Sequence, residues 1–134
     1  MHPAMSSRTR HDPGFTLVEL LVVIIIIGIL ASIAVPVFLN QRRRAIETGM
    51  KTDLRMVAQL QETYYSDLQT YAPSVAVIEV ALAPDLNLSP NNVVTVVNLS
   101  ATAFCLRAQN PSAADDYFWD SDGGGLLDRG VPCA

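Results

Sequence analysis

The chain has 134 residues, half of them hydrophobic, and a net charge of −4, which allows one small domain plus an extra element. An acidic balance argues against a nucleic-acid binder, which needs a basic surface. Both histidines, His2 and His11, lie ahead of the apolar run. No Ser/His/Asp, Cys/His, zinc-ligand or phosphate-loop pattern occurs, so no enzyme is expected.

The first element is that apolar run. From Phe15 to Leu39 the only clearly polar side chains are Thr16, Glu19 and Ser32. Leu20–Leu39 alone, as a helix, rises about 30 Å, the thickness of a hydrocarbon core. One reading is therefore a single membrane span, in which Gly28 and Pro36 are tolerated. Another is a removed secretory signal, with Arg8 and Arg10 as its basic region, Leu20–Ala31 as its apolar region and a cut after Ala34. Neither accounts for Glu19. A carboxylate at the edge of hydrocarbon is costly, and an acid within a span marks function by default.

The hexapeptide Gly14-Phe15-Thr16-Leu17-Val18-Glu19, running directly into the apolar stretch, resembles the type III signal of type IV pilins and pseudopilins. The resemblance implies a prepilin peptidase that cuts between Gly14 and Phe15, and N-methylation of the new Phe15 terminus. Residues 1–14 are then a leader, or a shorter one if translation starts at Met5. Such a cut creates an α-amine, and Glu19 lies four residues on, along the same helix face. The implied role of Glu19 is to pair with the N-terminal amine of a neighbouring subunit during assembly. Gly28 and Pro36 bound a stretch that unwinds in assembled filaments of this family, consistent with the N–H that Pro36 lacks. The implied partners are copies of the chain, other pilin-like subunits, the peptidase, an inner-membrane assembly platform and the membrane. The implied location is the cytoplasmic membrane, then an extracellular or periplasmic filament. A fibre pilus, a secretion pseudopilus and a DNA-uptake pseudopilus remain open. So do a single-pass protein that never polymerises and a secreted domain starting after Ala34.

Residues 40–71 continue the helix with a different pattern. Ile46, Met50, Leu54, Val57, Leu60 or Gln61, Tyr64, Leu68 and Tyr71 recur every three or four residues, with Arg43, Glu47, Lys51, Asp53, Arg55, Glu62 and Asp67 on the other face. Gly49 costs about 1 kcal/mol of helix propensity. The stop is expected at Thr70-Tyr71-Ala72-Pro73. Arg42-Arg43-Arg44 suits anionic headgroups, acidic groups of neighbours, or plain solvation.

Residues 72–134 read as the head. Ile78–Leu82 suggests a helical turn. Val93–Val97, Ala103–Ala108 and Asp116–Asp120 are β-branched or aromatic and predict an antiparallel meander. Cys105 and Cys133 are a disulfide if the domain is exported and free thiols if it is cytosolic. A loop of about 29 residues closed in this way contributes about 3–4 kcal/mol in the chain-entropy model. Pilin heads often carry such a C-terminal loop. Asp120, Asp122 and Asp128, around Gly123-Gly124-Gly125, raise calcium as the one candidate cofactor. The EF-hand pattern fails at Gly124 and at Val131, and a glycine-rich turn is the preferred reading. The expected fold is α+β, a long N-terminal helix packed on a small antiparallel sheet, divided as 1–14, 15–39, 40–71 and 72–134.

Overall fold

The computed structural model describes residues 14–134. The expected leader up to Pro13, with His2, Arg8, Arg10 and His11, lies outside the described residues. The elements run α1 (Leu17–Leu68), α2 (Val75–Ala81), β1 (Val93–Leu99), β2 (Phe104–Gln109), β3 (Tyr117–Asp120) and β4 (Gly125–Leu126). Two compact units divide the described chain after Phe38.

The first unit is the apolar half of α1. Every side chain from Phe15 to Phe38 is exposed apart from a half-buried Ala31. The helix passes through Gly28 and Pro36 without interruption.

The second unit, Leu39–Ala134, holds the core. Met50, Leu54, Val57 and Ala58 form the inner stripe of α1, and Ile78 of α2 joins them. The sheet is antiparallel with strands in chain order, β1-β2-β3-β4. Period-two alternation aims Val94, Phe104, Leu106, Ala108 and Tyr117 at the stripe. Val94 stands opposite Ala108 and Val96 opposite Leu106, while a bulge between Val96 and Asn98 bends the edge strand.

The helix stops at Leu68, three residues before the expected end. Gln69 enters the left-handed region at φ 55°, its N–H still bonded to the Tyr65 carbonyl at 2.8 Å, a common way to end a helix. Leu68 is consequently exposed, although the periodicity placed it in the stripe. Tyr71 is buried, but from a returning loop. Its ring stacks on Tyr65 at 4.5 Å and meets the edge of Phe104 at 4.8 Å. Gln61 rather than Leu60 takes the fully buried position: its amide donates to the Ala72 carbonyl (2.9 Å) and accepts from the Ala72 N–H (2.8 Å).

Asp53 is also corrected. It lies inside, 3% exposed, instead of on the polar face. Its carboxylate accepts from the Ser89 N–H (3.0 Å), the Ser89 hydroxyl (3.1 Å) and the Asn92 amide (2.5 Å), which satisfies a group that burial would otherwise penalise. Gly49 permits this approach, because a Cβ there would stand 3.1 Å from the Ser89 hydroxyl oxygen. The helix turn at Ile78–Leu82 is in fact Val75–Ala81.

Candidate functional site

Thr16 and Glu19 close the start of α1 on each other. The Thr16 N–H and hydroxyl both donate to Glu19 Oε2 at 2.9 Å, and the Glu19 N–H donates to Thr16 Oγ1 at 3.2 Å. This is a capping box: the N-cap threonine and the third helical residue satisfy each other's otherwise orphaned donors. The pattern Thr-x-x-Glu was present in the sequence as a helix-start signal. Glu19 also lies where the helix dipole favours a negative charge. The carboxylate therefore has a role within its own chain, in addition to the one implied between chains.

Around it lies bare hydrocarbon. Phe15 is 89% exposed, and Gly14 has no other part of the molecule within 4 Å of where a Cβ would stand. The peptide bond between them is thus sterically open among the described residues. Leucines, isoleucines and valines from Leu17 to Leu39 each remain about half exposed or more. That helical stretch is long and apolar enough to cross a membrane, and none of its most apolar window is buried. A continuous apolar surface of this size on a folded protein marks contact with lipid or with another chain. Gly28 likewise faces open space, and Pro36 offers no N–H to the Ser32 carbonyl one turn back. Gly14 and Phe15 thus lie just ahead of α1, and Glu19, Gly28 and Pro36 along its exposed half; of these five, Glu19 alone makes a side-chain hydrogen bond, to Thr16.

In the head, Cys105 and Cys133 form a disulfide with Cα atoms 6.3 Å apart. It fastens the C-terminal tail to β2, next to β3. The acidic loop is arranged as a turn. Asp120 Oδ1 accepts from the N–H groups of Asp122 (3.0 Å) and Gly123 (3.1 Å). Among the described residues no three Asp, Glu, His or Cys side chains converge as metal ligands, so Asp120, Asp122 and Asp128 are not assembled into a common cage. The glycine run, expected as turn alone, ends in the short strand β4, with Gly125 at φ 100°. A Cβ at Gly125 would stand 3.3 Å from the Trp119 ring, so glycine is what lets the hairpin close over the indole.

A second polar group ties the head together. The Tyr117 hydroxyl donates to Glu47 at 3.1 Å, and Arg129 bonds Asp115 at 2.6 Å and reaches Glu47 at 3.8 Å. Burial, then the hydrogen bond and charge of Glu47, push the Tyr117 phenol above its usual range. The Asp115 hydrogen bond and charge hold Arg129 above its usual value. Arg107 of β2 pairs with Asp116, the residue just before β3. These contacts lock the tail and strands to α1.

Residues 9–35 match the family described as the prokaryotic N-terminal methylation motif. The chain is 37% identical over 100 residues to the type IV wide pilus major component PilA4 of Thermus thermophilus, covering 74% of each protein. It is 38% identical over 80 residues to the type IV major pilin protein PilA of Myxococcus xanthus, covering 58% of this chain and 36% of that one. It is 32% identical over 85 residues to the type II secretion system core protein G of Vibrio cholerae, covering 63% and 58%. The capped apolar helix, the antiparallel head and these relatives together place the chain in the type IV pilin and pseudopilin family.

Proposed function

We propose that the chain is the structural subunit of a type IV pilus-like filament, made as a membrane-held precursor and polymerised through α1. The observation that carries this reading is the exposed apolar segment from Phe15 to Leu39 with a carboxylate near its N-terminal end. Hydrolysis between Gly14 and Phe15 frees the Phe15 amine for methylation. Glu19 of one subunit then meets that amine on the next, while apolar helix faces bury one another. The partners are copies of this chain and other pilin-like subunits, with a prepilin peptidase and an inner-membrane assembly platform acting before them. The stretch from Gly28 to Pro36 extends on assembly, since its hydrogen-bond ladder already lacks the Pro36 donor. The location follows: cytoplasmic membrane first, then a filament outside it.

The likeness to the secretion-system protein supports a second reading, in which the same polymer is a short pseudopilus. Loss of surface fibres on deleting the gene favours the first reading; loss of protein export with fibres intact favours the second.

The capping box sharpens the test of Glu19. Glutamine serves the box as well as glutamate does, but cannot ion-pair. Glu19→Gln is expected to keep α1 folded and the precursor processed, yet to fail to enter filaments. Glu19→Ala is expected to lose both cap and assembly. Filaments built from Glu19→Gln at the normal level would show that the cap is the whole role of this residue. Intact mass of the mature chain is the companion measurement. A start at Phe15 carrying one methyl group is expected, and a start at Val35 would rule the reading out.

A further inference from the structure

The cations of the head fall into two groups. Arg107 and Arg129 are held by carboxylates, and Lys51 sits 4.6 Å over the Tyr117 ring. Arg42, Arg43 and Arg44, like Arg55 farther along α1, are exposed, and the ion pairs among the described residues include none of the four. Beside them lies a recess of ≈ 200 Å³ lined by Leu39, Arg42, Arg43, Ile46 and Ser112. It joins two guanidinium groups, one hydroxyl and two aliphatic side chains.

The wall opposite the arginines is held in place from the core. The Ser112 N–H donates to Asn110 Oδ1 at 2.8 Å. The Asn110 amide donates to Asn92 Oδ1 at 2.6 Å and to the Pro90 carbonyl at 3.2 Å. Asn92 in turn donates to the buried Asp53 of α1. A chain of hydrogen bonds rooted in one turn of α1 thus positions the β2–β3 loop against another.

We propose that this recess seats the phosphate of an anionic phospholipid. Arg42 and Arg43 bind the phosphate oxygens, Ser112 adds a hydroxyl donor, and Leu39 and Ile46 lie against the upper acyl chain. The proposal rests on the reading that Phe15–Leu39 crosses the membrane. In that case Arg42 stands three residues, about 5 Å along the helix, beyond the end of the apolar run, within the headgroup layer. Guanidinium forks match phosphate oxygens in geometry and charge. Aliphatic lining distinguishes a lipid from a free ion, which gains nothing from Leu39 or Ile46.

The test uses the full chain in detergent and in nanodiscs. Flotation with phosphatidylcholine vesicles reports insertion of the apolar helix alone, and failure to float would sink the membrane reading together with the recess. Native mass spectra in mixed phosphatidylglycerol and phosphatidylcholine report the recess itself. Preferential retention of phosphatidylglycerol is expected. It should fall about twenty-five-fold in the Arg42→Ala/Arg43→Ala double variant, from about fivefold for each cation. It should fall less in Ser112→Ala and stay unchanged in Arg55→Ala, another exposed arginine on α1. Equal retention of the two lipids, or retention unchanged in a folded double variant, would overturn the proposal. Displacement of the lipid by millimolar inorganic phosphate would reassign the recess to free anions. Loss of filament incorporation in Arg42→Glu/Arg43→Glu with lipid retention intact would reassign the arginines to a neighbouring subunit.

Discussion

Glu19 illustrates how one side chain serves two scales. Its spacing from Phe15 raises an intermolecular pair, and its spacing from Thr16 makes an intramolecular cap. The second was readable in Thr-Leu-Val-Glu, but the cost of a carboxylate near hydrocarbon drew attention first. Other residues could not be read in this way. Gln61 and Asp53 are polar, and polarity alone places them outside. Their burial depends on Ala72, Ser89 and Asn92, which lie 11 to 39 residues away in sequence. Gln61→Leu keeps the volume and removes both bonds to Ala72, leaving a buried N–H and carbonyl unpaired. A loss of about 2–4 kcal/mol is expected, read as a lower denaturant midpoint with an unchanged slope. A change below half a kilocalorie would mean that water satisfies the Ala72 groups.

At the scale of elements, α1 is one helix with two patterns. The stripe Met50, Leu54, Val57 was legible because a period of 3.6 survives any partner it packs against. The helix end was misplaced because Pro73 is the loudest stop signal, whereas Gln69 turns left-handed to bring Tyr71 back onto Tyr65 and Phe104. The three longer strands were legible from β-branched and aromatic runs. β4 was not, since two residues carry no period and Gly125 is strand only because Trp119 lies beneath it. The disulfide encloses β3 and β4, both short. Reducing Cys105–Cys133 should therefore lower stability by about 3–4 kcal/mol. Hydrogen exchange should accelerate in Tyr117–Leu126 before it does in Met50–Gln61. Uniform acceleration in both segments would show that the hairpin is not a separate unit of stability.

Across the whole molecule, burial and hydrophobicity are divided between different residues. Among the described residues, the most apolar segment, Phe15–Leu39, contributes nothing to the core, and every buried hydrophobic residue lies at Met50 or beyond. The head should consequently fold without the first unit. A fragment of residues 39–134 is expected to be soluble, to form the same disulfide and to melt cooperatively. A fragment that stays unfolded after oxidation would mean that the apolar half of α1 stabilises the head directly.

The sequence by itself determined the family signal, the length and apolarity of the first helical half, the amphipathic stripe of the second and the meander of the head. These are local properties, set by spacing along the chain and independent of what the chain packs against. Tertiary structure decided which polar residues enter the core, where α1 stops and that Cys105 meets Cys133. It also set Ser112 beside Arg42 and Arg43. Each of these depends on groups distant in sequence, whose approach is fixed only once apolar side chains close around them and every buried donor finds an acceptor.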